Sequence, residues 1–540
     1  VEKYLAKLLA QGIRVALCDQ LEDPRLTKKL VKRGITRVLT PGTVLDDSML
    51  PASANNYLCA VAEHKGTIGL AILDAGTGEF AGTEFTGGDA NESLSQEFAR
   101  LRPSEVLAPV ELQFVQQLTK ALNASISVRS FPSITEAERL LNQQFGSKFL
   151  GGFGLDHQPA TLLAAGAIMD YARSIQLALD HVSLIQTYDI SKTMRIDPAT
   201  RKALELTQAM SGGRGMSEGR SELTLLKTLD FTLTPMGKRT LTKWIDQPLL
   251  DRTTIEARLE AVERLIRYPV ARAGLRDALK GLGDLERPVS RCCTGTATPL
   301  DLGAVRRILL TLPKLDDPLR LVSLGRIQEL REDIGNHTDL AQKLRKGLAE
   351  SPSSQIREGN VIREGFDSEL DNTRKLSRDA KEFMASLETK ERSTTGISGL
   401  KIGYNSVFGY YLEVPKRFVA EVPSHYVRKQ TTANAERYIT TDLKEQESIV
   451  LSAADRAISL EADLFAGLRS EVAACAEALQ KTANALGQVD TLASLAEAAV
   501  QRRYVRPEIL EVDCLEIEHG RHPIVEVNND AFVPNGIHLD

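Results

Sequence analysis

The chain has 540 residues, with 67 Lys and Arg against 72 Asp and Glu, a net charge of -5, and apolar side chains at 42%. At roughly 150 residues per domain, that is enough chain for three to five domains, each with its own core. The acidic balance excludes a uniformly basic nucleic-acid coat, so any nucleic-acid contact has to come from a local patch.

The first segment, "VEKYLAKLLAQG", reads as an amphipathic helix ended by Gly12. The apolar "IRVALCDQL" reads as a strand, and "GITRVLTPG" as a second strand that stops at Pro41. This is the pattern of an α/β domain entered after its beginning, and Val1 already lies inside a helical pattern; the expectation is a fragment cut at both ends. From about Tyr57, "YLCAVAE", "TIGLAILDA" and "GEFAGTEF" predict short strands separated by Gly-rich turns, followed by the helix "NESLSQEFARL". A small mixed domain therefore runs to about Tyr188. Asp74, at a strand end, resembles one carboxylate of a nuclease-type metal site, but a single carboxylate is not a cluster.

From Asp189 to about Glu350 the pattern is helical, with turns expected at "SGGRGMSEGRS", "TPMGKR" and "QPLLD". The Gly-rich loop fails as a phosphate cradle. A P-loop requires G-x-x-x-x-G-K-[ST] directly after a strand, so that main-chain N–H groups and the lysine surround the phosphates. Here Arg214 stands five residues before Gly219, Arg220 replaces the lysine, and the preceding "RKALELTQAM" reads as a helix.

Beyond it, apolar or small residues recur at Phe366, Leu370, Thr373, Leu376, Ala380, Phe383 and Leu387, in steps of three and four without proline. This predicts one helix of about 30 residues, reaching ~45 Å. The rhythm resumes at Leu443, Val450, Ala453, Ala457, Leu460, Leu464, Leu468, Val472, Cys475 and Leu479. Helices of this length need a partner along the apolar seam, and an antiparallel pairing of the two arms supplies one. Between them, Leu400, Ile402 and Tyr404 alternate, as do Tyr410, Leu412 and Val414, with Asn405 to Gly409 as the turn of a β-rich head.

The head also carries "RKQTTANAERYI", residues 428 to 439. Arg428, Lys429 and Arg437, with Gln430, Thr431, Thr432 and Asn434, supply donors suited to phosphate oxygens, which confer affinity rather than base selectivity. A solvated loop at an arm tip fits the same composition, and both readings stand at this point.

The six cysteines form no C-x-x-C pair and have no histidines at zinc spacing, and adjacent Cys292 and Cys293 are poorly placed for a bridge. The reading is a reduced, cytosolic protein without a structural metal. No run approaches the ~18 apolar residues of a membrane span, and no secretory signal is read.

Several strings together resemble one family. "KYLAKLLAQGIRVALCDQLEDP", "TPGTVLDDSML", "LDFTLTPMGKRTLTKWIDQPL", "GDLERPVSR", "EGFDSELDNTRKL", "FGYYLEV", "RKQTTANAERYITTDLKE" and "GRHPIVE" are similar, in order, to the MutS family of bacterial DNA mismatch repair proteins. The resemblance implies a multidomain α+β fold: an α/β remnant, an RNase-H-like connector, a helical core with long antiparallel lever helices, and an inserted β-rich clamp. The implied boundaries are 1–44 for the end of the mismatch-recognition domain, 45–188 for the connector, and 189–391 for the core and ascending lever. The clamp follows at 392–442, the descending lever and core at 443–505, and the start of an ATPase domain at 506–540.

The resemblance further implies a homodimer closing on mispaired or looped double-stranded DNA, control by ATP and Mg2+, MutL as a partner, no membrane, and a cytoplasmic, nucleoid-associated location. Asn434 matches the family's clamp contact to the DNA backbone; Arg428, Lys429 and Arg437 extend that site. Phe532, Val533 and Asn535 match the segment flanking the adenine of ATP. Two departures stand out. The family's Phe-x-Glu wedge is absent from these residues, and the family's P-loop is expected beyond Asp540. No catalytic residue or complete cofactor site is therefore expected here, nor ATP hydrolysis by this chain alone. Competing readings are the shorter MutS paralogue, against which residues 1–188 argue, a structural or chaperone-like coiled-coil arm, and an RNA-binding arm of an aminoacyl-tRNA synthetase.

Overall fold

The computed structural model describes residues 2–20, 30–46, 49–146, 154–208, 224–405, 409–528 and 531–539. The chain forms two compact units. One comprises residues 1–297, 304–340 and 471–540; the other comprises 298–303 and 341–470.

In the first unit, helix Glu2–Ala10 lays Leu5 and Leu9 against Leu39 and Val44, beside the antiparallel pair β1 (Val15–Gln20) and β2 (Arg33–Leu39). A six-stranded sheet follows: β3 (Leu58–His64), β4 (Thr67–Asp74), β5 (Glu79–Phe85), β6 (Glu105–Ala108), β7 (Ser125–Val128) and β8 (Gln186–Thr187), in the order β7-β6-β3-β4-β5-β8. Strands β3, β4 and β5 form an antiparallel meander, and the outer strands pair in parallel. Runs such as "LCAVA" and "LAIL" lack polar alternation because both faces of this sheet are covered. Leu58 and Ala60 share a core with helix Pro159–Ser174, whereas Cys59 and Val61 share one with helix Ala90–Leu101. Gly69 allows the closest approach: a Cβ there would lie 2.1 Å from the Ala160 main chain.

Asp74 is a structural group. Its buried carboxylate accepts Asn55 Nδ2 at 2.9 Å, Gly76 N at 2.9 Å and Asn56 N at 3.2 Å, which locks the turn after β4. No group of three potential metal ligands occurs among the described residues.

The helical part of this unit is assembled around helix Ala476–Arg502, which buries Leu479, Leu486, Val489 and Leu492. Two sequence expectations need correction here. "TPMGKR" is a helix start rather than a turn: Thr234 caps helix Pro235–Asp246 by accepting Gly237 N at 3.0 Å, with Pro235 in the first turn, where its missing N–H costs nothing. "RKALELTQAM" is also less helical than expected, since helix Pro198–Ala203 stops before Glu205, whose φ is +46°. The Gly-rich stretch "SGGRGMSEGRS" lies outside the described residues. Near the end of the chain, β13 (Leu515–Gly520) and β14 (Asn535–Leu539) form an exposed antiparallel pair.

In the second unit, helix Ser368–Thr395 has 28 residues, or about 42 Å at ~1.5 Å per residue. Asp367 caps its start by accepting Leu370 N at 2.9 Å, and Gly396, at φ +73°, ends it. The returning helix, Thr441–Ala474, has 34 residues; Cys475 interrupts it before the next helix, so the predicted seam is divided there. The two arms meet at their ends. At the base, Glu461 is buried, with Oε1 accepting Arg374 Nη2 at 2.6 Å and Oε2 accepting Val361 N at 2.7 Å. At the other end, Leu387 shares a core with Leu443 and Val450. Between these points, Leu376 is 53% and Phe383 45% exposed, which corrects the expectation of a continuous apolar seam.

The head is a four-stranded antiparallel sheet of β9 (Lys401–Asn405), β10 (Gly409–Pro415), β11 (Val427–Thr431) and β12 (Ala435–Ile439), in the order β11-β12-β10-β9. Leu400, Leu412, Val414, Tyr426 and Tyr438 join Leu387, Leu443 and Val450 in one core, which fixes the sheet to the arms.

Candidate nucleic-acid interface

The basic dozen folds as the hairpin β11–β12 rather than as a loop. Tyr438 supplies its buried anchor in the head core. Thr432 shapes the turn: its N–H donates to the Ala435 carbonyl at 2.9 Å, and its Oγ1 accepts Ala435 N at 3.1 Å. Asn434 is therefore presented at the tip with an exposed side-chain amide, while its carbonyl accepts Lys416 N at 3.2 Å.

The register is Arg428 to Tyr438, then Gln430 to Arg437, so Lys429 is the extra residue of a β-bulge. Bulges twist a strand and redirect side chains. Lys429 is exposed and has no ion pair or hydrogen bond among the described residues, which leaves its full charge available.

The two arginines differ. Arg437 is engaged within the sheet: Nε donates to Glu413 Oε2 at 3.0 Å, Nη1 to Gln430 Oε1 at 2.8 Å, and its guanidinium lies 4.3 Å from the Tyr411 ring centroid. Arg428 keeps a mostly exposed side chain while donating to Glu436 Oε1 at 3.2 Å. The hydrogen bond from Tyr438, ahead of the Arg428 charge, holds the Glu436 carboxyl below its ordinary range. Arg428, Lys429 and Asn434 are thus all exposed along one hairpin, whereas Arg437 is a strut within the sheet.

Lys416 and Arg417, two further exposed cations, stand beside the tip and escaped the sequence reading. They follow β10, and only the register Pro415 to Ala435 carries them next to Asn434. The string "PKRF" after a strand was the available signal.

The second predicted site lies at β14. Phe532 is half-buried, Val533 is 70% exposed, and Asn535 is exposed, its Nδ2 donating to the Val533 carbonyl at 3.3 Å.

A family model described as MutS domain III matches residues 199–496, over half of the chain. The chain belongs to the MutS family. Models described as MutS domain II and MutS domain I match residues 56–186 and 1–48. Curated relatives bearing the name DNA mismatch repair protein MutS include one from Desulforamulus reducens, 41% identical, and one from Symbiobacterium thermophilum, 42% identical. A third, from Methanosarcina acetivorans, is 38% identical. Each alignment covers 100% of this chain and 62% of the relative, so the chain spans about three fifths of the length of the MutS proteins it matches. The mixed helix and sheet architecture is that of a multidomain chain carrying MutS domains I to III. No described helix is long and apolar enough to cross a membrane.

Proposed function

We propose that this chain supplies the connector, core, lever and clamp portions of a DNA mismatch repair protein that closes, as a homodimer, on mispaired or looped duplex DNA. The observation that carries the reading is the exposed hairpin β11–β12, where the side chains of Lys429 on its bulge and Asn434 at its tip have no partner among the described residues. A cation and an amide of this kind suit phosphate oxygens and are indifferent to base identity. The segmentation into recognition end, RNase-H-like connector, core with levers, clamp and ATPase start, at the boundaries derived from the sequence, belongs to the same proposal. So do ATP and Mg2+ as controlling ligands, MutL as a partner, and a nucleoid-associated location.

In this reading Arg428, Lys429 and Asn434 contact the DNA backbone, and Arg437 holds the strand that presents them. Phe532 offers its ring to a purine face, while Asn535 and the Val533 main chain meet its edge. The phosphates require groups outside this segment, so Phe532→Ala in a protein with a complete nucleotide site should raise KM for ATP more than it lowers kcat. The test of the clamp assignment is Asn434→Cys in a protein that binds duplex DNA, probed with a thiol-reactive group on a backbone phosphate. Crosslinking at this position supports the assignment. No crosslink here, with efficient crosslinking from another face of the head, would overturn it.

A further inference from the structure

Away from the head, the first unit contains a second concentration of positive charge, in which Arg102 and Lys202 have no ion pair among the described residues. A cleft of about 510 Å3 is lined by Arg102, Arg201, Lys202 and Thr207, with Pro103 and Leu122 contributing an apolar wall, and no lining residue is a carboxylate. In a chain of net charge -5, that local excess calls for a partner.

The charges are built into the cleft. Arg102 ends helix Ala90–Leu101 in the left-handed conformation, at φ +49°, and its Nη2 donates to the Thr207 hydroxyl at 2.8 Å. A hydroxyl orients the guanidinium without cancelling its charge. Lys202 is exposed and has no ion pair among the described residues. Arg201, only 8% exposed, pairs with Asp246 through its terminal nitrogens, while its buried Nε has no hydrogen-bond partner among the described residues. A buried donor left unsatisfied is unfavourable, so such a group marks a place where an acceptor belongs. Burial, with help from the neighbouring Arg100 and Arg102 charges, holds Arg201 below the ordinary arginine range, an environment that an added anion would relieve.

We infer that this cleft binds the phosphate monoester of a small nucleotide, with Arg102 and Lys202 as direct ligands, Arg201 as the buried cation beneath them, and Pro103 and Leu122 against the base. The volume falls in the range of small-ligand sites, and the recessed position of Arg201 favours a terminal phosphate over the backbone of a duplex. This inference does not rest on the clamp reading.

The test is equilibrium dialysis of the whole chain with labelled AMP, competed by inorganic phosphate and by adenosine. Arg102→Gly removes the guanidinium and suits the left-handed backbone, so it should leave the thermal midpoint in place. Saturable binding that phosphate competes for and adenosine does not is expected, weakened roughly tenfold by Arg102→Gly, as for loss of one charged hydrogen bond. Lys202→Gln should weaken it several-fold. Absence of saturable AMP binding, equal competition by adenosine, or binding indifferent to both substitutions would overturn the assignment. So would an effect of Arg102→Gly confined to duplex DNA.

Discussion

Asp490 Oδ2 accepts both the hydroxyl of Thr234, at 2.7 Å, and its main-chain N–H, at 2.8 Å. The carboxylate, fully buried on helix Ala476–Arg502, thereby fixes the start of helix Pro235–Asp246, and Leu233 N donates to it as well, at 3.0 Å. Two residues far apart in sequence thus define one helix–helix junction.

Gly237 lies under that carboxylate, and a Cβ would come within 2.2 Å of Asp490 Oδ2. Gly237→Ala should therefore destabilise the fold by about 1–3 kcal/mol, although alanine is the better helix former. Urea denaturation measures it; an unchanged or raised midpoint would mean the junction yields freely.

The same carboxylate predicts a pH dependence. Burial, outweighing the hydrogen bonds from Thr234 and Leu233, pushes Asp490 up to about 6 from an ordinary 3.8. The folded state then holds a proton that the unfolded chain has released, so the contribution of Asp490 is fully present below about 4 and is lost as pH rises through about 6. Asp490→Asn should lack this part of the slope. Parallel plots of denaturation midpoint against pH for the two proteins, between pH ~4 and ~7, would contradict the assignment.

At the base of the arms, Glu461→Ala would leave the Val361 N–H without its buried acceptor and would leave Arg374 with the Ile362 carbonyl but without its buried carboxylate. Because Arg374 is partly exposed and keeps the Ile362 carbonyl, the loss should cost roughly 1–3 kcal/mol. Glu461→Gln retains one acceptor oxygen and should cost less. Hydrogen exchange at the Val361 amide is a direct readout, and protection equal in both variants would show that the clasp contributes little.

In the head, Lys429→Ala and Arg437→Ala should separate binding from stability. Lys429 has no partner among the described residues, so in the proposed clamp role its loss should weaken binding to matched and mismatched duplexes alike and reduce the slope of log affinity against log salt by about 1. Arg437→Ala removes the bonds to Glu413 and Gln430 and the contact with Tyr411, so it should lower stability by about 1 kcal/mol. Denaturation and salt-dependent binding assays on both variants distinguish the roles; a larger salt-slope change for Arg437→Ala would reverse them.

Local periodicity made much of this protein legible. The alternating and continuous apolar runs between Tyr57 and Phe85 produce the meander, because strand burial is written residue by residue into the chain. The long arms follow from steps of three and four, and the composition of "RKQTTANAERYI" already marked a cationic, amide-rich patch. Pairing and desolvation were not legible, since both depend on which distant segments meet. Register alone makes Lys429 a bulge, brings Lys416 beside Asn434 and sets Glu413 against Arg437, so that three similar cations acquire different roles. "TPMGKR" carries ordinary turn residues, and only the carboxylate of Asp490, supplied by a helix about 250 residues later, turns its Pro and Gly into the first turn of a helix. The exposed Leu376 and Phe383 show the same limit: sequence spacing gives a helix its apolar stripe, whereas the tertiary structure decides how much of that stripe is covered.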